Sequence, residues 1–170
     1  MALKEKALKR LCEKLARAGV PFCLAGSWML TQRGLDLPWH SFDVVVDPEQ
    51  FPEADRVLTR LGMRSAAEQT ETHAEIHYHF DGADIQLYSG FPLSDTQYRL
   101  SPWPDTVTVL GQEVPLMSPE DWYILLLQTG HSAEAHAMEP FFQTHSFRAA
   151  MLSSCLSQYV PHDGPFPIEQ

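Results

Sequence analysis

One segment near the N-terminus limits the possible folds more than any other part of the chain. Its pattern predicts, in order, strand 20–25, a helix that begins at Ser27 and ends near Gly34, and strand 42–46. Gly26 stands between the first strand and the helix, where a tight turn needs a small residue. The segment therefore predicts an α/β fold in which a short helix reverses the chain between two strands.

The remaining chain alternates helices and strands and is expected to form one domain over 1–160. A length of 170 residues with 44% hydrophobic residues is enough to bury one core. The other predicted elements are helix 3–18, helix 52–61, strands 73–80 and 83–88, strands 106–110 and 113–116, helix 122–127, and a last amphipathic helix with Phe147, Met151, Leu152, Cys155 and Leu156 facing inward. The last ten residues, 161–170, contain three prolines and are expected to fray.

Charged residues are distributed unevenly along the chain. The net charge is −10, yet six of the twelve lysines and arginines fall within the first seventeen residues, and no lysine follows Lys14. The rest of the chain is strongly acidic, which argues against nucleic acid as the main partner and suits a cationic one. We interpret the basic start as the solvated face of helix 3–18, opposite its apolar stripe.

Nothing in the sequence indicates a membrane protein. No apolar run is long enough to span a bilayer, and the basic start lacks the apolar segment of a signal peptide. We therefore expect a cytoplasmic protein with no membrane partner.

Asp81-Gly82 is a strong signal for a two-residue hairpin turn between two alternating segments. The turn sets the register of the hairpin. It pairs His79 with Asp84, His77 with Gln86 and Glu75 with Tyr88 on one polar face, which also carries His73. The other face is apolar and is expected to join the core through Ala74, Ile76, Tyr78, Phe80, Ala83, Ile85 and Leu87.

The polar face of this hairpin has two interpretations. His77 and His79 with Asp84 would form a metal site that favours zinc or manganese over magnesium, because imidazole suits softer ions. Alternatively, the histidines are ordinary polar residues on half-exposed strands. The sequence leaves both interpretations open.

Several short motifs together resemble the nucleotidyltransferase superfamily of the polymerase-β type, and most of all its small aminoglycoside and lincosamide nucleotidyltransferases. The family pattern is a strand, a Gly-Gly or Gly-Ser pair, a helix, and a strand that carries Asp-x-Asp. This chain has Gly26-Ser27 and, in place of the aspartate pair, Ser41-x-Asp43. Segment 117–121 is similar to the family's helix-opening motif, and segment 111–115 to the strand pair before it.

The resemblance implies a mixed sheet with helices packed on one face and a C-terminal helical segment. It also implies an enzyme that transfers a nucleoside monophosphate from a nucleoside triphosphate to a hydroxyl of a small, possibly cationic, acceptor. In such an enzyme Gly26 and Ser27 would contact the phosphates, because the amides at a helix start point toward an anion. Arg33, late in the same helix, is the nearest cation that would assist them, and an exposed surface role is the alternative.

The resemblance further implies a divalent metal, magnesium or manganese, held by Asp43 and Asp84. Zinc is a further option where His77 and His79 lie beside Asp84. In the family, paired carboxylates hold ions that bridge the nucleotide phosphates and activate the attacking hydroxyl. Ser41 replaces the first of those carboxylates, and its neutral hydroxyl is a poor ligand for a hard cation.

Two functions follow from this substitution. In the first, the chain is a nucleotidyltransferase whose transfer activity is impaired by Ser41, since each charge removed from such a site lowers the rate by orders of magnitude. In the second, the chain is a pseudoenzyme, a catalytically inactive module that binds a nucleotide or a protein partner. Segment 125–127, three leucines where the family often has a lysine or arginine, favours loss of catalysis.

Overall fold

A computed structural model of the protein describes residues 2–65, 68–69, 74–89, 92–93 and 96–170. Within these ranges the helices are α1 Ala2–Arg17, α2 Gly26–Gln32, α3 Phe51–Thr59, α4 Pro119–Gln128, α5 Ser132–Ala137 and α6 Glu139–His145. The strands are β1 Cys23–Ala25, β2 Ser41–Val46, β3 Met63–Arg64, β4 Glu68–Gln69, β5 Ala74–Phe80, β6 Ala83–Ser89, β7 Pro92–Leu93, β8 Thr96–Gln97, β9 Asp105–Val109, β10 Gln112–Leu116, β11 Phe147–Arg148 and β12 Ile168–Glu169. Three short 3₁₀ helices cover Pro48–Gln50, Ala149–Met151 and Ser157–Tyr159.

The main sheet is mixed, as the sequence predicts. Its strand order is β3-β5-β6-β2-β1-β10-β9. Strand β4 pairs with the N-terminal end of β5, and β3 pairs with the C-terminal end. The pairs β2 with β6 and β1 with β10 are parallel, while the other pairs of this sheet are antiparallel. Helix α2 provides the short connection between the antiparallel strands β1 and β2.

The core lies between one face of this sheet and helices α1 and α3. Both helices contact β6, α3 also contacts β5, and the two helices contact each other. Leu8, Leu11 and Leu15 lie on one stripe of α1 and are fully buried, as their helical spacing predicts. Ile76 on β5 and Ile85 on β6 are buried in the same core. The helices therefore cover the apolar face and leave the alternate residues of the strands on the other face.

The hairpin prediction is confirmed in detail. Asp81 and Gly82 both have positive φ, 50° and 74°, which is the backbone of a type I′ turn. The strands pair His79 with Asp84, His77 with Gln86 and Glu75 with Tyr88, in the predicted register. His73, which the sequence also places on the polar face, lies outside the described residues.

The prediction for the C-terminal part of the chain is wrong. Residues 147–156 do not form an amphipathic helix but a two-residue strand, a 3₁₀ turn and irregular backbone. Two of their amides bond to buried carboxylates at the start of α4. The amide of Arg148 donates to Glu120 Oε2 (3.3 Å), and the amide of Ser153 donates to Asp121 Oδ1 (2.8 Å). These long-range bonds replace the helical ones that the apolar spacing suggests.

The last ten residues do not fray. Strand β12 pairs in parallel with β11. Phe166 is only 6% exposed and packs edge-on against Tyr123, with further ring contacts to Phe142 and Phe147. The tail therefore completes the small core around α4 and α6, and burial of this ring outweighs the local tendency of prolines to leave a tail open.

The start of α4 forms as the sequence predicts. The hydroxyl of Ser118 accepts a hydrogen bond from the amide of Asp121 (3.0 Å), and Pro119 occupies the first turn. None of the helices in the described ranges has the length and apolar character needed to cross a membrane.

Candidate functional site

Asp43 lies on the central strand β2, between Ala25 on β1 and Gln86 on β6. Gly26 follows Ala25 with φ of +72° and begins α2. Because Gly26 has no side chain, its backbone lies directly against the Asp43 carboxylate. Ser27, the second residue of the helix, is half-buried beside this turn. The predicted Gly-Ser turn and the predicted aspartate are therefore brought together.

The carboxylate of Asp43 lines a cavity of about 110 Å³ on the face of the sheet opposite α1 and α3. The sheet contributes Glu75, Gln86 and Tyr88 to its wall, and the helical side contributes Trp122, Leu126, Thr129, His131 and Glu134. Two further carboxylates thus share the cavity with Asp43. Such a concentration of negative charge favours a cation in or near the cavity.

The environment of Asp43 changes its acidity. Burial raises the pKa of the Asp43 carboxyl to about 7, because the charged form loses its hydration. A hydrogen bond from Ser41 opposes this rise, while the charges of Glu134 and Glu75 add to it. The Asp43 carboxyl therefore ionises less readily than an exposed aspartate.

Ser41 is adjacent to both predicted acidic residues of the site, Asp43 and Asp84. Its hydroxyl donates to Asp43 Oδ1 at 2.9 Å, two residues along β2. Across the strand boundary it lies in register with Asp84 on β6, and register partners of a parallel pair share a face. Position 41 is therefore a neighbour of both Asp43, on the same strand, and Asp84, on the adjacent strand.

The histidine side of the hairpin lies at the exposed end of the same face. His79 Nδ1 and Asp84 Oδ1 are 2.7 Å apart, and both side chains are more than half exposed. His77 Nε2 lies 3.6 Å from Glu75 Oε1. The register confirms that Asp43, Asp84, His77 and His79 share one face, but only Asp43 of these four lines the 110 Å³ cavity.

No protein-family model and no curated protein matches this sequence. Solved structures do match it. A Thermotoga maritima protein assigned as a nucleotidyltransferase has a TM-score of 0.60 at 19% identity, over 82% of this chain and 92% of that chain. The antibiotic-resistance factor ANT(2″)-Ia, in complex with adenylyl-2″-tobramycin, has a TM-score of 0.58 at 11% identity, over 92% of this chain and 99% of that one.

The lincosamide antibiotic adenylyltransferase LnuA, with lincomycin bound, has a TM-score of 0.54 at 13% identity, over 79% of this chain and 93% of its own. This chain has the nucleotidyltransferase fold. The predicted architecture, a mixed sheet with helices packed on one of its faces, here α1 and α3, is thus confirmed, and α4 and α5 lie on the side of Asp43. At these identities the likeness concerns the fold, and the chemistry of this chain has to be argued from its own residues.

The residues around Asp43 do not match the paired-carboxylate metal site that the nucleotidyltransferase fold implies. Within the described ranges, no three His, Cys, Asp or Glu side chains are arranged to hold a metal ion. Position 41 supplies a hydroxyl that donates to Asp43, whereas a metal ion requires oxygen atoms that donate electron pairs. The two predicted ligand sets, Asp43 with Asp84, and His77 and His79 with Asp84, therefore stay predictions.

Arg33 lies at the end of α2 away from Gly26. Its guanidinium donates to Asp105 Oδ2 (3.0 Å) and to the carbonyl of Met117 (2.9 Å), and its side chain is only 14% exposed. These bonds tie α2 to the ends of β9 and β10. The role of Arg33 toward a phosphate remains a prediction, and its contacts in this fold are structural.

Sequence reasoning missed the contribution of the helical side to the site. His131 precedes α5 and Glu134 lies in its first turn, and neither α5 nor α6 was predicted. The sequence pattern indicates only a surface or helix-end residue at His131 and attaches no role to Glu134. The one available signal was His131-Ser132 before a short Ala-rich and Glu-containing run, which is typical of a helix start.

Proposed function

We propose that this chain is a nucleotidyltransferase-fold protein whose site accepts a nucleoside triphosphate and a small cationic acceptor, and whose transfer of nucleoside monophosphate is impaired. The observation that carries the proposal is the hydrogen bond from Ser41 to Asp43. In this bond the neutral hydroxyl of Ser41 donates to one carboxylate oxygen of Asp43. The resemblance implies a second carboxylate, not a hydroxyl, at position 41. Loss of that acid lowers the rate without removing the pocket.

The shape of the site supports retention of a ligand. Gly26 allows the backbone to lie directly against the Asp43 carboxylate. A turn that had lost its role in binding would not need this close contact. The cavity beside Asp43 is lined by Glu75 and Glu134, which would attract an acceptor that carries amino groups. Among the solved structures of the same fold, the ANT(2″)-Ia structure contains adenylyl-2″-tobramycin and the LnuA structure contains lincomycin.

The second candidate is an inactive module that binds a nucleotide or a protein partner. Two observations favour it: the described residues form no metal-binding group, and the guanidinium of Arg33 is held by Asp105 and a carbonyl. In that case binding of a nucleotide would persist without turnover, or would be replaced by a protein ligand.

The experiment that separates the two is an activity screen of the wild type and Ser41→Asp. Each protein is incubated with the four nucleoside triphosphates, magnesium or manganese, and a panel of aminoglycosides and lincosamides. Pyrophosphate release and the mass of the modified acceptor are recorded. We expect low turnover in the wild type and a gain of about 10²-fold in Ser41→Asp, because the restored carboxylate is a neighbour of both Asp43 and Asp84.

Ser41→Asn is the matched control, because its side chain has the size of aspartate without the charge. It should stay at the wild-type level. Robust turnover by the wild type would contradict the proposed impairment. Nucleotide binding by calorimetry with no turnover in either protein would support the inactive module.

A further inference from the structure

A groove with a strongly basic lining runs between α1 and α3, on the face of the sheet opposite Asp43. It has a volume of about 330 Å³. Five of the twelve lysines and arginines of the chain line it: Arg10, Lys14, Arg17, Arg56 and Arg60. We call these five residues, with Val57 and Leu61 between them, the basic groove. Arg10, Lys14 and Arg17 belong to α1. The fold places Arg56 of α3 and Arg60, at the end of α3, beside them.

The positive charge of the basic groove is only partly neutralised. Arg10 Nη1 lies 3.2 Å from Asp81 Oδ2, and Arg56 pairs with Glu53. Lys14, Arg17 and Arg60 form no ion pair with the residues that the structure describes. Their side chains belong to exposed residues at the ends of α1 and α3. In a chain of net charge −10, such a local excess of cations is unusual.

Helix dipoles explain a part of this arrangement. Lys14 and Arg17 lie in the last turn of α1, and Arg60 is the C-terminal cap of α3, where a cation stabilises the helix end. Each helix end carries about half an elementary charge, however, and the effect is confined to the last turn. The cations exceed this charge, and Arg10 lies well before the end of α1. The basic groove therefore keeps a positive excess that faces solvent.

We propose that the basic groove binds a compact anion with several phosphate groups, an inorganic polyphosphate chain or the triphosphate of a nucleotide. Arginine guanidinium groups match phosphate oxygens with two parallel hydrogen bonds, and Lys14 adds a mobile point charge. The i, i+4, i+7 spacing of Arg10, Lys14 and Arg17 forms a stripe about 10 Å long, which suits several anionic groups in a row. The apolar floor of Val57 and Leu61 would contact the rest of the ligand.

A nucleic acid fits this surface less well than a small anion. The five cations of the basic groove lie close together, while the chain as a whole carries a net charge of −10. A longer polyanion would place its further phosphates against that acidic surface and would be repelled. A volume of about 330 Å³ also lies at the lower end of the range for small-molecule sites. The site does not depend on catalysis at Asp43.

The test is calorimetric titration of the protein with inorganic tripolyphosphate in EDTA at low salt, followed by ATP under the same conditions. The groove variant is Lys14→Gln/Arg17→Gln/Arg60→Gln. The control variant is Lys6→Gln/Lys9→Gln/Arg99→Gln, which removes three charges outside the groove and leaves the same net charge. We expect tripolyphosphate affinity to fall about tenfold or more in the groove variant and less than about twofold in the control.

Both variants change residues at the surface, and thermal unfolding of each variant checks that the fold is kept. ATP binding tighter than tripolyphosphate identifies a nucleotide as the ligand, and equal affinity identifies the phosphate chain. Three results would overturn the proposal: no tripolyphosphate binding, an equal loss in both variants, or tighter groove-dependent binding of a single-stranded oligonucleotide. Lower stability of the groove variant without any binding by the parent would assign the cations to the helix ends alone.

Discussion

Gly26 and Asp43 are packed so closely that a Cβ atom at Gly26 would lie 1.9 Å from Oδ2 of Asp43. The contact connects the turn at the start of α2 to the carboxylate on β2. No side chain fits at position 26 unless Asp43 moves. The geometry therefore links the identity of one backbone position to the placement of the acid in the candidate site.

Gly26→Ala tests this link, with Gly19→Ala as its control. The two glycines have nearly equal φ, +72° and +71°, but a Cβ at Gly19 meets no atom within 4 Å. Gly19→Ala should lose about 1–2 kcal/mol through backbone strain. Gly26→Ala should lose a further increment of about 1–3 kcal/mol through the steric clash. Urea unfolding measures both, and equal losses would contradict the contact.

Ser41 controls the acidity of Asp43 in a way that can be measured. Its hydrogen bond stabilises the ionised carboxylate and opposes the effect of burial, so Ser41→Ala should raise the pKa of Asp43 above its value of about 7. Ser41→Thr keeps the hydroxyl and should leave the pKa close to that of the wild type. Carboxyl ¹³C chemical shifts across pH 4–9 report the result. A lower pKa in Ser41→Ala would show that the hydroxyl does not donate to Asp43.

The parts of the fold that could be predicted from the sequence are those determined by local chemistry. Asp81-Gly82 specifies its turn through two positive φ angles, and the alternation of the flanking residues then sets the register. Ser118 specifies the start of α4 through a side-chain bond three residues ahead. Gly26 and Asp43 were found through their resemblance to a family pattern, and the fold places them in contact.

The parts that could not be predicted depend on contacts between distant segments. Glu134 follows Asp43 by 91 residues and reaches its cavity because α5 packs on α4, and both helices line the cavity opposite the sheet residues. Segment 147–156 has helical apolar spacing, but its amides bond to Glu120 and Asp121 in α4. No local propensity contains that information.

Phe166→Ala tests whether the tail is part of the core. The ring packs with Tyr123, Phe142 and Phe147, so its removal should lower the free energy of unfolding by about 3–5 kcal/mol. Pro165→Ala, at an exposed neighbouring position, should change it by less than about 1 kcal/mol. Chemical denaturation of both variants gives the comparison. An unchanged midpoint in Phe166→Ala would restore the interpretation of a frayed tail.

Asp121 makes a pH-dependent contribution to stability whose sign follows from its burial. Burial raises the pKa of this carboxyl from 3.8 to about 6, while bonds from Ser153 and Tyr98 oppose the rise. The folded protein therefore binds more protons than the unfolded chain between these two values. The contribution of Asp121 to stability is complete below about pH 4 and is lost as the pH rises through 6.

Asp121→Asn removes this titration and keeps an acceptor for the amide of Ser153. The difference in unfolding free energy between variant and wild type should shift by roughly 2.5 kcal/mol in favour of asparagine between pH 4 and pH 7, because one pKa unit corresponds to about 1.4 kcal/mol. Asp36→Asn, at an exposed carboxylate that forms no ion pair with the described residues, is the control for a change of net charge. Denaturation at a series of pH values provides the measurement. Parallel pH profiles for wild type and Asp121→Asn would mean that Asp121 is ionised in the folded protein as readily as in the unfolded chain.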